Sequence, residues 1–482
     1  MRILLASAEV HPFSKTGGLA DMVGALGKAL AKAGHHVEIV TPLYRGIRER
    51  FPQLTPKDWR FDLPMGNRRV AGGLYVAELA ERLTVSFVDQ PGYFNRSSIY
   101  QENGRDYADN AERFIFFSKA VVNLARYQLQ PPEVVHIHDW HTALVPLLIQ
   151  NQSRHDGWRH APPTCLTIHN LAYQGLYPRD VFALTNLPAN QFNHDGAEFF
   201  GQCNFLKAGL ATADALTTVS PRYAREITTE ALGHGLDGVL RKRHARLHGI
   251  LNGVDYDEWN TTRNPHLKFS YDATDLSGKA ANKEALQHEL GLPVNAATPL
   301  FGTITRLADQ KGIGILLGAL EEMLPAGMQF VLLGSGAPHF ERALRELAAR
   351  FPDRVAVRLE FDQGLSHRIE AGSDFYLMPS VFEPCGLNQM YSLRYGTIPI
   401  VRMTGGLDDT VIDVAENPQR ATGIKFQEYS VPALAKAIRK ALVLFENKPL
   451  DAHYRRNGMA ADFSWDATLT AYAKLYRELR GK

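Results

Sequence analysis

Apolar and polar positions in this chain recur in a fixed order: a short apolar run, a polar or glycine-rich turn, then apolar residues at helical spacing. Ile3 to Ala6 is the first run, and Ala20 to Ala33 carries the helical period and closes at Gly34. Val37 to Thr41 reads as the next strand, so the chain starts with a βαβ unit, parallel and right-handed. Further strands are predicted at Thr84 to Val88, Val134 to His138, Thr164 to His169 and Ala215 to Val219. A second series begins near Pro299 with LFGTIT, QFVLLG, VAVRLEF, DFYLMPS and IPIVRM, again alternating with helical stretches. The strands of the first series end in polar residues at the carboxyl edge, where open α/β sheets place ligands. The expected class is α/β, in two halves.

The Asn-Gly turn within Ile250 to Trp259 marks the junction. The expected division is 1–250, 251–460 and a closing segment 461–482. That segment carries Trp465, Leu469, Tyr472, Tyr476 and Leu479 on one helical stripe behind Ser464, a plausible N-cap. Aromatic residues at this spacing indicate packing, so a helix docking on the body of the protein is expected.

Length supports two domains, since 482 residues exceed what one core organises. A net charge of +2 argues against nucleic acid or a membrane surface as the main partner. The densest basic run, Arg241 to His248, reads as a solvated helix end. Three scattered cysteines, Cys165, Cys203 and Cys385, form neither a disulfide framework nor a CxxC pair, which fits a reducing cytoplasm. The first residues read as a β-strand rather than a secretory segment, and no run approaches the ~18 apolar residues that span a bilayer.

Candidate chemistry begins with a repeated hexapeptide, Thr-Gly-Gly-Leu-x-Asp, at Thr16 to Asp21 and Thr404 to Asp409. Paired glycines before a helix allow close backbone approach, and the helix start offers free N–H groups. Two ordinary strand-to-helix turns would look the same. Lys15 precedes the first copy and suits an anionic oxygen, although neither a P-loop nor GxGxxG is present. Arg306 and Lys311 follow LFGTIT at a strand end, where two cations can hold a diphosphate and stabilise it as a leaving group. Glu383 opens EPCGLNQ after DFYLMPS; its carboxylate can bind sugar hydroxyls, offset charge at an anomeric carbon, or simply cap the helix that follows. His136, His138, Asp139 and His141 form HIHDWH, which raises a metal site as a rival, but no downstream cluster completes one. Asp139 is the better candidate for a substrate hydroxyl. His169 and Asn170 end TCLTIHN on the same inferred rim.

Together these motifs resemble the bacterial glycogen synthases and plant starch synthases. The resemblance runs through SKTGGLAD, HDWH, HNLAYQG, VSPRYAREI, NGVDYDEW, RLADQKG, LLGSG, AGSDFYLMPS, EPCGLNQMYSLRYGTIPIVR, TGGLDDTV and the terminal FSW. It implies the GT-B architecture: two Rossmann-like domains facing across a cleft, glucan acceptor chiefly in the first, nucleotide sugar in the second. It further implies transfer of glucose from ADP-glucose to the non-reducing end of an α-1,4-glucan such as glycogen, with retention and without cofactor or metal. UDP-glucose as donor and a metallohydrolase built on HIHDWH are the alternatives.

By the same resemblance, Glu383, Arg306, Lys311, His169 and Asp139 are the catalytic set. Lys15, Gly17, Gly18, Gly386, Leu387, Asn388, Thr404, Gly405 and Gly406 surround the donor. Phe361 falls where relatives place an aromatic, commonly tyrosine, near the nucleotide base. Val381, Asp408 and Asn260 depart from the usual arginine, alanine and following proline.

Overall fold

The computed structural model describes residues 1–102 and 104–481 and contains two large sheets. Numbered in chain order, the first has β1 (Arg2–Ala6), β2 (His36–Pro42), β3 (Thr55–Met65), β4 (Arg68–Ala80), β5 (Leu83–Asp89), β6 (Val134–His138), β7 (Thr164–Ile168), β8 (Ala215–Thr218) and β9 (Leu247–Gly249). Across the sheet they run β9-β8-β7-β6-β1-β2-β5-β4-β3. β1 lies between β6 and β2, parallel to both, and Ile3 to Ala6 are buried on both faces. That is why this strand reads as an unbroken apolar run rather than an alternating one. The carboxyl ends of β1, β6 and β7 are therefore neighbours, and the turns after them carry Lys15, Asp139 and His169.

β3 and β4 form a long antiparallel hairpin against β5 that the periodicity did not reveal. Pro56 and Pro64 interrupt one strand and Gly72–Gly73 the other, and proline is tolerated here because β3 is the sheet edge. Beneath the hairpin tip the Lys119 ammonium is buried and donates to Leu184 O and Asn186 Oδ1, each at 2.8 Å, and to Pro64 O. Burial without a carboxylate partner pushes its pKa down to about 7.

The second sheet has β10 (Leu300–Ile304), β11 (Gln329–Leu333), β12 (Val355–Arg358), β13 (Phe375–Met378), β14 (Ile398–Arg402) and β15 (Ile424–Phe426), all parallel. Their order is β12-β11-β10-β13-β14-β15. The predicted run VAVRLEF is a strand only to Arg358. Phe361 lies beyond the strand end with 82% of its surface exposed.

The chain separates into two compact units, Met1–Gly253 with Trp465–Lys482, and Val254–Ser464. The last helix, Trp465–Arg480, starts directly after Ser464 and packs on the Gly18–Lys32 helix and on β6. Trp465, Tyr472, Tyr476 and Leu479 join the first unit's core, with Leu469 partly covered against it. Among the described residues no helix is long and apolar enough to cross a membrane.

Candidate functional site

In the first unit β1 ends in a turn whose Glu9 carboxylate is buried. It accepts hydrogen bonds from the Thr16 backbone N–H, from Thr16 Oγ1 at 2.7 Å and from the Tyr100 hydroxyl at 2.6 Å. Glu9 thereby clamps the first glycine loop from beneath. Lys15 is exposed and lies 2.8 Å from Asp21 Oδ1, an ion pair between the residue before the hexapeptide and its last member. Gly17 is extended, and a Cβ built there meets no atom within 4 Å. Gly18 is exposed, and no side chain caps the helix it opens. The open backbone and uncapped N–H groups are what an anion can use.

At the end of β6, Asp139 adopts a left-handed φ of 56°, unusual for a residue with a Cβ. This turn brings its carboxylate to the His169 N–H at 2.7 Å, with a further backbone hydrogen bond from Asn170. Burial dominates these bonds and pushes its pKa up to about 7. His138 Nδ1 lies 3.1 Å from His169 Nε2, so His138, Asp139 and His169 form one assembly at adjacent strand ends. His136 is deeper, held by Tyr476 OH and Thr167 Oγ1, each at 2.6 Å. His141 is wedged between the Tyr100, Phe114 and Trp140 rings. Burial pushes His136, His141 and His169 down to about 3 and His138 well below its usual range. All four are neutral at pH 7. The HIHDWH metal rival is not favoured: among the described residues no group of three or more His, Cys, Asp or Glu could hold a metal ion.

In the second unit Glu383 is buried after β13, and its Oε2 accepts from Lys311 Nζ at 2.6 Å and Ser380 Oγ at 3.1 Å. The loop after β10 is tied to this turn by Val381 N–H to Gln310 O at 2.8 Å and Gln310 Nε2 to Phe382 O at 3.2 Å. Arg306 is exposed, and its guanidinium has no partner among the described residues. Lys311 is thus engaged with Glu383, while its expected companion is free. Gly386 has a φ of +68°, and the N–H groups of Gly386 and Leu387 donate to nothing among the described residues. The Asn388 side chain is committed to the scaffold, donating to Ile304 O at 2.8 Å and to Tyr376 OH at 2.6 Å.

Thr404, Gly405 and Gly406 are buried. A Cβ on Gly405, whose φ is +44°, would lie 1.9 Å from Glu383 O, and one on Gly406 would lie 2.0 Å from Cys385 O. The glycines of this second copy are explained by packing against the Glu383 turn. Asp408 pairs with the buried Lys425 at 3.0 Å.

Sequence reasoning passed over Glu9 and Tyr100 as loop clamps and Ser380 as a second partner of Glu383. A carboxylate at a strand end seven residues before Thr16 was the one available signal for Glu9. Tyr100 and Ser380 had none.

Residues 2–242 match the family described as the starch synthase catalytic domain, and residues 290–459 match glycosyl transferases group 1. A glycogen synthase of Anaeromyxobacter dehalogenans is 48% identical over 480 residues, covering 99% of this chain and all of that protein. One from Myxococcus xanthus is 47% identical over 483 residues, 99% of each chain. The catalytic domain of starch synthase IV from Arabidopsis thaliana, solved bound to ADP and acarbose, superposes with a TM-score of 0.90 at 35% identity, over 100% of this chain and 99% of that one. Sucrose-phosphate synthase from Thermosynechococcus elongatus shares the fold at 20% identity and a TM-score of 0.60. With agreement across the whole length in sequence and in fold, the chain belongs to the bacterial glycogen synthase and starch synthase family of GT-B glycosyltransferases.

Proposed function

We propose that this enzyme transfers glucose from ADP-glucose to the non-reducing end of an α-1,4-glucan such as glycogen, retaining anomeric configuration. The observation that supports the reading most is the Glu383 turn. A buried carboxylate, a lysine bonded to it, an unpartnered arginine and two open backbone N–H groups together suit a glucosyl diphosphate. The starch synthase with the same fold was solved with ADP, which favours an adenine donor. The second unit is assigned the nucleotide sugar and the first the acceptor, with Asp139 and His169 at the transferred glucose and Lys15 as a third cation for the donor.

In the reaction the bond from the anomeric carbon to the diphosphate oxygen breaks and a bond to the acceptor hydroxyl oxygen forms on the same face. The hydroxyl proton passes to the departing diphosphate, whose charge Arg306 and Lys311 stabilise. Glu383 offsets positive charge at the anomeric carbon. Only Glu383 is assigned to the anomeric carbon, the Asp139 carboxylate being bonded to the His169 and Asn170 N–H groups, so the two-carboxylate scheme of retaining hydrolases is not used. The three free, buried cysteines fit a reducing cytoplasm as the place of action.

Incubation with glycogen and labelled ADP-glucose or UDP-glucose, side by side, tests the proposal. Incorporation from ADP-glucose at higher kcat/KM is expected. Preference for UDP-glucose would overturn the donor assignment, and no incorporation from either would overturn the activity.

A further inference from the structure

His169 has two ring nitrogens, and the structure commits one of them. Nε2 faces His138 Nδ1 at 3.1 Å, while Nδ1 has no partner among the described residues. His138 is fully buried, and its own Nε2 also lacks a partner. Both imidazoles are held neutral by burial, so one proton occupies the hydrogen bond between them.

Two arrangements are possible. If His169 donated from Nε2, the His138 proton would sit on Nε2 as a buried N–H with no acceptor. If His138 donates from Nδ1, its Nε2 is left only as an unused lone pair. Orphaned buried N–H groups are the rarer defect, so the second arrangement is favoured. His169 then carries its proton on Nδ1 and is a hydrogen-bond donor at the strand edge.

The His138 ring is kept in place from below. His136 lies two residues earlier on the same face of β6, with ring centroids 4.3 Å apart. Both His136 nitrogens are occupied, by Tyr476 OH from the last helix and by Thr167 Oγ1 from β7. Thr167 Oγ1 is itself 2.5 Å from Thr217 Oγ1. The His169 backbone is fixed separately by Asp139.

We infer that His138 is a positioning residue for glucosyl transfer: it locks His169 as the Nδ1–H tautomer, so that His169 donates a hydrogen bond to an oxygen of the transferred glucose, with the Tyr476–His136 pair as its floor. The inference rests on the proposed place of His169 at the sugar.

The test combines imidazole 15N NMR on the full chain with steady-state kinetics. The His169 signals, assigned by their loss in His169→Ala, are expected to show a protonated Nδ1 and an unprotonated Nε2. The reverse pattern would overturn the inference, and this readout needs no core substitution. His138→Leu should lower kcat about tenfold or more with donor KM nearly unchanged. His138→Asn, whose amide can donate from the place of Nδ1, should restore most of it. Wild-type kcat in His138→Leu, or equal loss in both variants with the fold intact, would overturn the positioning role. Full turnover in His169→Ala would instead remove His169 from the sugar site, whatever its tautomer.

Discussion

The two Thr-Gly-Gly-Leu-x-Asp segments are nearly identical in sequence and opposite in use. In the first, a side-chain carboxylate from beneath holds the loop, and the glycine backbone is left open, with Gly17 clear of every neighbour. In the second, the glycines are consumed by packing: Gly405 and Gly406 lie where any Cβ would meet the backbone of Glu383 and Cys385. One loop offers its backbone outward, and the other gives it to the turn that carries the proposed catalytic carboxylate. A shared motif therefore fixes a shared turn, and the surroundings decide what the turn does.

The largest effect should come from Gly405→Ala. The left-handed φ and the contact with Glu383 O together should cost more than about 3 kcal/mol, read as a large fall in Tm and loss of activity. A stable, active variant would break the contrast. Glu383→Ala should lower kcat by about 10²-fold or more with the fold intact, and near-normal turnover would remove its assigned role. Lys15→Ala should weaken donor use about tenfold, leaving acceptor KM little changed. Unchanged donor kinetics would leave the first loop without its cation.

A pH experiment sharpens the same contrast. Burial raises the folded-state pKa of Asp139 to about 7, so its neutral form favours the folded state. That contribution is complete below about pH 4 and is lost as pH rises through 7. The fall in Tm between pH 5 and 8 should therefore be shallower in Asp139→Asn than in the parent, and equal slopes would contradict the assignment. The contact at Gly405 is with a backbone carbonyl and offers nothing to titrate. The smallest effect on stability is expected from Gly17→Ala, whose unfolding free energy should stay within about 0.5 kcal/mol of the parent's while donor use falls.

Much of this was legible in the sequence because the parallel strands are mostly apolar runs followed by marked polar residues. Val134 to His138 and DFYLMPS locate the turns carrying Asp139 and Glu383 without any tertiary information. The β3–β4 hairpin was not legible, since Pro56, Pro64 and Gly72–Gly73 break the alternation that signals a strand. The electrostatic pairings were hidden for another reason. Lys311 and Glu383 are 72 residues apart, and Tyr100 is 91 from Glu9. Local spacing marks a cation or a carboxylate, whereas its counter-charge is chosen by the fold. For the same reason Lys15 and Lys311 read as free cations, yet each meets a carboxylate of its own unit.

The Lys311–Glu383 pair has a consequence for how ionic strength acts on this protein. With Glu383 buried and Lys311 half-buried, this pair is shielded from mobile ions by the chain around it, whereas an exposed guanidinium collects a cloud of anions that thins or thickens with added salt. Within the second unit, the part of the proposed donor affinity that salt can erode is therefore expected at Arg306. Lys311, on the proposed reading, would exchange one oxygen partner for another, with little net uptake or release of counterions.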